Sequence, residues 1–289
     1  MKVVPAHDAP LGAEITGMDL ASQSGPDAAQ FVKDALHKYK VVVLRNQRIT
    51  SAQQIEFCRY FGSLDRHVLP QYLVPGYPEL VRVSNILDES GDPIGIVDAG
   101  RFWHSDAATQ PKPNMYSALY ALEIPFDDTG KPLGDTLFVA TDDAYDALPA
   151  AMKRRIDGLK AVNSLAAIYE ELQRMNLAAK RDPLTDAQKR EVVHPVVRTH
   201  PVTGRKCIYV SKSATVRIVG LPEGESRSLI HELSDWCTRS EDIIYRHRWQ
   251  TGDLLFWDNC SGQHLAIGDY QLPRRRLMHR TTVGGSVPF

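Results

Sequence analysis

The segment Phe102-Trp103-His104-Ser105-Asp106 places a histidine and a carboxylate two positions apart. We expect this segment to lie on a β-strand, where alternation puts both side chains on the same face of a sheet. Their Cα atoms would then lie roughly 7 Å apart, which allows the two side chains to ligate one metal ion from one side. A third ligand would have to come from a distant part of the chain.

The candidate for the third ligand is His264, which follows an apolar stretch that begins at Gly252. Two histidines and one carboxylate on one face of an octahedron are typical of non-haem Fe(II) oxygenases. The alternative for His104 and Asp106 is a chance His-x-Asp pair, and the alternative for His264 is a loop histidine bonded to backbone. The order of the parts, a His-x-Asp pair, a distant histidine and then a basic strand, favours the metal site.

The basic strand runs from Arg274 to Thr282. A period of two puts Arg276 and Arg280 on one face of it. A guanidinium fork pairs bidentately with a carboxylate, and a sulfonate has similar geometry, so these two side chains could bind two different anions. A run of charge is more often a solvated surface, which is the alternative for Arg274 and Arg275.

Composition indicates an ordinary globular protein. The chain has 289 residues, a net charge of −1 and 43% hydrophobic residues, which suits one large domain or two small ones. We expect a single domain over residues 1–289. The near-neutral charge argues against nucleic acid as a partner. The lack of an apolar run of bilayer length, or of a signal-peptide core near Met1, argues against a membrane.

The four cysteines are widely scattered and form no Cys-x-x-Cys pair: they are Cys58, Cys207, Cys237 and Cys260. They could form two disulfides, but a chain of this length does not need them. We expect reduced thiols and a cytoplasmic protein.

Periodicity predicts many short strands and a few helices. A capping box is expected at Ser51 and Gln54, and a helix cap at Thr141. Residues 164–190 look helical and charged and are a candidate lid. The predicted strands cover residues 12–20, 41–44, 80–86, 115–124, 136–140, 192–199, 207–211, 243–249, 254–259 and 275–283. The pattern predicts a mainly β protein with α decoration, built on a double-sheet jelly roll (double-stranded β-helix) core.

Several motifs together resemble the taurine dioxygenase and 2,4-dichlorophenoxyacetate dioxygenase family of Fe(II)/2-oxoglutarate enzymes. The likeness covers nearly the whole chain. Its markers are Trp103–Asp106, Gly134–Thr136, Ala144–Leu148, Val193–Val210, Trp257–Asn259, His264 and Arg275–Gly285.

This resemblance implies roles for individual residues. Iron would be held by His104, Asp106 and His264. The C5 carboxylate of 2-oxoglutarate would meet Arg276 and the Thr136 hydroxyl, and eleven residues separate His264 from Arg276, as in the family pattern. The resemblance further implies that Arg280 binds the anionic group of the substrate and that His67 lies in the substrate pocket.

The implied function is an Fe(II)-, 2-oxoglutarate- and O2-dependent dioxygenase that hydroxylates a small anionic substrate such as an aryloxyalkanoate carboxylate, and thereby cleaves it if the hydroxylated carbon bears a heteroatom. A sulfonate or alkylsulfate dioxygenase of the taurine type is the alternative. Two rivals come from other classes: a non-catalytic jelly-roll binding protein, and a hydrolase that uses the same ligands with zinc. The resemblance also implies a homo-oligomer. Gly100 or Arg101 stands where the taurine enzyme has an asparagine.

Overall fold

The structure is a computed structural model that describes residues 1–6, 11–67, 69–175 and 183–289. Its α-helices are α1 Pro26–Tyr39, α2 Ser51–Arg59, α3 Thr141–Asp146, α4 Ala150–Ile156, α5 Leu165–Arg174 and α6 Glu223–Cys237. Its strands are β1 Lys2–Pro5, β2 Ala13–Thr16, β3 Val41–Leu44, β4 Leu73–Val74, β5 Tyr77–Ser84, β6 Tyr116–Glu123, β7 Thr136–Ala140, β8 Lys160–Asn163, β9 Val192–Pro195, β10 Val197–Thr199, β11 Lys206–Ile208, β12 Thr215–Ile218, β13 Ile244–His247, β14 Leu254–Asp258, β15 Gly262–Ala266 and β16 Leu277–Val283. Short 3-10 turns span Pro70–Tyr72 and Glu241–Ile243.

The largest sheet has the strand order β1-β2-β3-β14-β6-β16-β5-β4. Strand β14 lies near its centre, antiparallel to both β3 and β6, and all five of its residues are buried. A strand that is covered on both faces reads as a continuous apolar run, and Leu254–Asp258 is apolar until its last residue.

A smaller sheet, β13-β7-β15, faces the large one. One core cluster joins the two: Val43, Leu119 and Leu255 from the large sheet pack with Phe138 from β7 and with Trp249, just after β13. Burying each of these side chains stabilises the fold by roughly 1.5–3 kcal/mol. Two facing sheets with a shared apolar interior are the predicted jelly roll, and this prediction is confirmed.

Helices cover the outside of the sheets. Helices α1 and α2 pack on the outer face of the large sheet, where Val32 and Phe57 contact the core around Phe256. Helix α6 packs through Leu229 and Leu233 against a third cluster that includes the short β10-β11 and β12-β8-β9 sheets. Among the described residues, no helix is long and apolar enough to cross a membrane.

Two predicted helix caps are wrong by one residue. The capping box uses Thr50 and Gln53: the Gln53 amide donates to Thr50 Oγ1 at 3.2 Å, and the Thr50 amide donates to Gln53 Oε1 at 2.9 Å. Gln54 is fully buried and donates to the His279 carbonyl instead. Thr141 is the first residue of α3, and Ala140 is the cap.

The predicted strand and lid boundaries change in similar ways. The expected strand over residues 12–20 is a strand only over Ala13–Thr16, and the expected strand over residues 192–199 is divided into β9 and β10. Within the candidate lid at residues 164–190, the structure has a helix only at Leu165–Arg174, and residues 176–182 lie outside the described residues. All four cysteines are free of disulfides, in agreement with the expected reduced thiols, and all four are buried.

Candidate active site

His104 and His264 meet across a single antiparallel bridge. The His104 amide donates to the His264 carbonyl at 3.2 Å, and the His264 amide donates to the His104 carbonyl at 2.9 Å. The prediction that His104 and Asp106 share a strand is wrong, because the chain turns after this one bridge and Ala107 has a φ of 56°. His264 lies within strand β15, which the sequence did not predict.

The bridge and the turn bring the three predicted ligands together. Nε2 of His104 lies 3.7 Å from Oδ1 of Asp106, and Nε2 of His264 lies 3.9 Å from the same oxygen. The candidate ligand atoms all lie within 4.8 Å of one another. Asp106 and His264 are each 6% exposed, so the cluster is closed to bulk water on most sides. Two imidazoles and one carboxylate oxygen around one point fit a divalent iron ion.

Hydrogen bonds around the cluster leave the correct atoms free for a metal. Nδ1 of His104 lies 2.8 Å from the Phe102 carbonyl, which can only accept, so Nδ1 carries the proton and Nε2 keeps its lone pair. Ser117 Oγ donates to Oδ2 of Asp106 at 2.6 Å, which leaves Oδ1 facing the histidines. Asn259 supports this contact, since its Nδ2 donates to Ser117 Oγ and its Oδ1 accepts from the Asp106 amide. Outer contacts of this kind orient metal ligands.

The protonation states are also those that a metal needs. Burial disfavours the ionised carboxyl of Asp106, but Arg280, His264 and His104 around it hold its pKa well below the usual range. Burial, together with His104 and Arg280, lowers the pKa of His264 to about 3. At neutral pH the site therefore presents an anionic carboxylate and a neutral His264 imidazole, the forms that bind metal.

A second buried group, His200, Asp258 and Cys260, has similar spacing but no free ligand atoms. Nδ1 of His200 accepts from the amides of residues 202 and 203, so its Nε2 carries the proton and donates to Oδ2 of Asp258 at 2.7 Å. Oδ1 of Asp258 accepts from the amides of Cys260 and Ser261. Burial raises the pKa of the Cys260 thiol to about 12, so it is not a thiolate at neutral pH. This group holds the Trp257–Ser261 turn in place.

The inner pocket lies between the two sheets and reaches from the histidines to Arg276; it is lined by Val83, Ala99, Gly100, His104, Leu119, Thr136, Phe138, Trp249, Trp257, His264, Ala266, Arg276 and Arg280. Arg276 is 3% exposed and donates to the Tyr270 hydroxyl at 3.2 Å and to the Gly134 carbonyl at 3.3 Å. Its Nε has no partner among the described residues. Thr136 Oγ1 accepts from Trp249 Nε1 at 3.0 Å, so its own proton remains available to a ligand.

A second, outer pocket also borders His104, and its lining includes both predicted substrate residues, Arg280 and His67. It is lined further by Leu69, Tyr72, Pro93, Ile96, residues 97–102, Leu165, Ile168, Tyr169, Leu172 and Gln188. Nη1 of Arg280 donates to Oδ1 of Asp106 at 3.3 Å, while its buried Nε has no partner among the described residues. Burial and the charge of Arg280 lower the pKa of His67 to about 4. His67 Nδ1 accepts from the Leu69 amide, so the neutral ring carries its proton on Nε2.

Four residues of the site were given no role from the sequence, although Asn259 falls within one of the family markers. Ser117 and Asn259 support Asp106, Trp249 binds Thr136, and Tyr270 binds Arg276. Serine, asparagine and aromatic residues occur throughout the chain, and only tertiary pairing places these four beside the ligands. For Ser117 that pairing is the register in which Ser117 of β6 lies opposite Trp257 of β14.

Comparisons with known proteins agree with this geometry. The profile of the taurine catabolism dioxygenase TauD, TfdA family matches residues 2–282. The alpha-ketoglutarate-dependent 2,4-dichlorophenoxyacetate dioxygenase of Cupriavidus pinatubonensis is 33% identical, over 96% of this chain and 96% of the relative. The pentalenolactone F synthase of Streptomyces arenae is 31% identical, over 97% of this chain and 94% of the relative. These identities are nearly equal although the two enzymes have different names, so overall identity does not determine the substrate.

A solved structure, AAD-2 in complex with Mn(II) and N-oxalylglycine, superposes with a TM-score of 0.77 and 29% identity, and the match covers 100% of this chain and 99% of that chain. The profile match over nearly the whole chain, together with the buried His-Asp-His cluster, shows that this chain belongs to the taurine catabolism dioxygenase TauD, TfdA family of Fe(II)/2-oxoglutarate-dependent dioxygenases.

Proposed function

We propose that the chain hydroxylates a small organic anion with an apolar body, using iron held by His104, Asp106 and His264. When bound, Fe(II) with 2-oxoglutarate and O2 supplies the oxidation: the cosubstrate leaves as succinate and CO2, and the second oxygen atom enters a substrate C–H bond. The observation that carries the proposal is the convergence of the three ligand atoms within 4.8 Å beside a pocket that has a buried guanidinium at its other end.

The inner pocket is the proposed 2-oxoglutarate site. The fork of Arg276 is held by Tyr270 and Gly134, and its orientation is therefore fixed before a carboxylate arrives. The Thr136 hydroxyl can donate to the same carboxylate because its oxygen already accepts from Trp249. Fixed donors to one anionic end orient the diacid so that its other end meets the metal ligands.

The outer pocket is the proposed substrate site. Arg280 supplies a cation beside His104, and neutral His67 can donate from Nε2. Most of the remaining wall is apolar, with Leu165, Ile168 and Leu172 of helix α5 on one side. A carboxylate bound by Arg280 would therefore direct an apolar body along α5 and keep one C–H bond near the metal.

An aryloxyalkanoate carboxylate fits these features, and it is the substrate class that we propose first. The name of the Cupriavidus relative supports it. An alkyl sulfate or alkyl sulfonate is the second candidate, because the anionic group has similar geometry at Arg280 and the α5 wall also suits an alkyl chain. Where the hydroxylated carbon bears a heteroatom, the product collapses and the bond to the heteroatom breaks.

Three broader features are part of the same proposal. The site draws on residues from His67 to Arg280, which supports a single catalytic domain over residues 1–289. Helix α5 lies over the outer pocket, as a lid formed from residues 164–190 would require. The buried free thiols suit a reducing, cytoplasmic location, and the family resemblance supports a homo-oligomer, which sedimentation analysis would test.

The decisive experiment loads the protein with Fe(II) and 2-oxoglutarate without O2, adds O2 with one of a panel of carboxylates, sulfonates and sulfate esters, and measures succinate. We expect substrate-dependent succinate release that is strongest for aryl or alkyl anions and weak for a small aminoalkyl sulfonate. Product formation without O2 and 2-oxoglutarate would instead indicate a hydrolase. Ligand binding with no succinate for any compound would indicate a binding protein.

A further inference from the structure

A short segment, Ala99 and Gly100, forms a wall that the inner and outer pockets share. The Ala266 amide donates to the Gly100 carbonyl at 2.7 Å, which ties this wall to the end of strand β15. Gly100 has a φ of +70°, and a β-carbon there would lie 3.0 Å from Cε1 of His104. The wall therefore borders both pockets, and glycine at position 100 leaves room for the His104 ring.

The next residue, Arg101, anchors this wall through its side chain. Its guanidinium lies against Gly268, and a β-carbon at position 268 would occupy the place of its Nη1. Its Nη2 donates to the Val97 carbonyl at 3.3 Å, and its Cζ lies 5.8 Å from the centre of the Tyr270 ring. The missing side chain at Gly268 thus provides the space that Arg101 fills.

Tyr270 links Arg101 to Arg276. The Tyr270 hydroxyl accepts from Nη1 of Arg276 at 3.2 Å, and Cζ of Arg276 lies 5.5 Å from the centre of the same ring. One aromatic ring therefore contacts two guanidinium groups, and the face of an aromatic ring attracts a cation.

The loop that carries Tyr270 is fixed at its base. The Ile267 amide donates to the Asp135 carbonyl at 2.8 Å, and the Gly134 amide donates to Oδ1 of Asp269 at 2.7 Å. These contacts hold the loop against the start of β7, directly before Thr136. The Tyr270 ring packs against Gly134, and the Arg101 guanidinium provides a further contact with it.

We propose that Arg101 is a positioning residue for 2-oxoglutarate: through Tyr270 it holds Arg276, and through Gly100 it holds the wall of the inner pocket. This inference rests on the proposed function, in which Arg276 binds the cosubstrate. Arg101 lines the outer pocket but makes no hydrogen bond to His104, Asp106 or His264 among the described residues, so its proposed effect on 2-oxoglutarate is indirect. Its loss acts through the Tyr270 ring and the shared wall and weakens cosubstrate binding.

The test measures 2-oxoglutarate affinity by calorimetry with the Mn(II)-loaded protein. We expect Arg101→Ala to raise the Kd about fivefold to tenfold, because it removes one guanidinium–ring contact. Gly268→Ala should raise the Kd similarly without altering residue 101, because the new methyl group displaces the guanidinium. The matched control is Arg239→Ala, which removes a guanidinium stacked 4.5 Å from the Trp236 ring at an exposed site outside both pockets and should change nothing.

A double-mutant cycle tests whether Arg101 acts through Tyr270. In a protein that already carries Tyr270→Leu, the addition of Arg101→Ala should raise the Kd of 2-oxoglutarate by less than twofold. Mn(II) affinity and the far-ultraviolet circular dichroism spectrum should remain those of the parent protein, which separates positioning from misfolding. Full additivity of the two substitutions would overturn the proposed route through the ring.

The outcomes also separate this inference from the proposed function. If Arg276→Met weakens 2-oxoglutarate binding while Arg101→Ala and Gly268→Ala leave it unchanged, the role of Arg101 is refuted and the cosubstrate site stands. If Arg276→Met has no effect, the assignment of the inner pocket fails, and this inference fails with it. If Arg101→Ala does not fold, Gly268→Ala alone decides the question by the same measurement.

Discussion

Replacing Arg276 by methionine removes the proposed cosubstrate cation but keeps an apolar side chain of similar length. Arg276 is 3% exposed, and its fork is held by the Tyr270 hydroxyl and the Gly134 carbonyl. A hydrogen bond to a charged group contributes about 1.5–3 kcal/mol, and a guanidinium fork makes two of them with a carboxylate. Leaving a carboxylate buried without its partner costs about 3–5 kcal/mol, so we expect the Kd of 2-oxoglutarate to rise at least about 100-fold.

Calorimetric titration of the Mn(II)-loaded protein with 2-oxoglutarate in the absence of O2 measures this change directly. Arg198→Met is the matched control, since Arg198 is 2% exposed, packs over the Tyr209 ring at 4.6 Å and lines neither pocket. It should leave the Kd unchanged even if it lowers the melting temperature. A Kd within threefold of the parent value in a folded Arg276→Met protein would refute the assignment of the inner pocket.

Ser117→Ala removes the donor to Oδ2 of Asp106. We expect the Mn(II) affinity, measured by metal titration, to fall about tenfold. An unchanged affinity would mean that this contact does not orient Asp106. Trp249→Phe removes the N–H that binds Thr136, and 2-oxoglutarate affinity should fall about threefold, whereas a tighter complex would contradict the role of the hydroxyl. Burial and Arg82 lower the pKa of His279 from 6.5 to about 4, so the folded protein holds this ring neutral while the unfolded chain protonates it below pH 6.5. The free energy of unfolding, measured by urea titration, should therefore decrease from pH 7 to pH 5, and it should decrease by less in His279→Gln; an equal decrease in the two proteins would contradict this.

Sequence reasoning identified the parts of the site whose chemistry is rare. His104, Asp106, His264 and Arg276 stand out because a metal ligand set and a strand with inward-facing arginines limit the residue types that can serve. The structure places His104, His264 and Arg276 in the lining of the inner pocket, and Oδ1 of Asp106 lies 3.7 Å from Nε2 of His104. The local geometry around them was not predictable, since the turn after His104 depends on a backbone bridge to a residue 160 positions away.

The missed features depend on tertiary contacts. Strand β15 escaped prediction because its Gly262–Ala266 sequence has little β-branched character and becomes a strand only by pairing with β7. The capping box moved to Thr50 because Gln54 is buried against β16, where it donates to Thr281. Local periodicity reports which face of an element is apolar, but it does not report which polar residue finds a buried partner.

The measurement that tests the metal site most directly is an anaerobic Fe(II) titration of the parent protein and of variants of the two histidine ligands. We predict one tightly bound ion per chain, with affinity reduced by more than about 100-fold in His104→Ala and in His264→Ala. His279→Gln, on the strand that carries Arg280, should bind iron as the parent does. Parent-like iron binding in folded His104→Ala and His264→Ala proteins would contradict the assignment of the metal to this cluster.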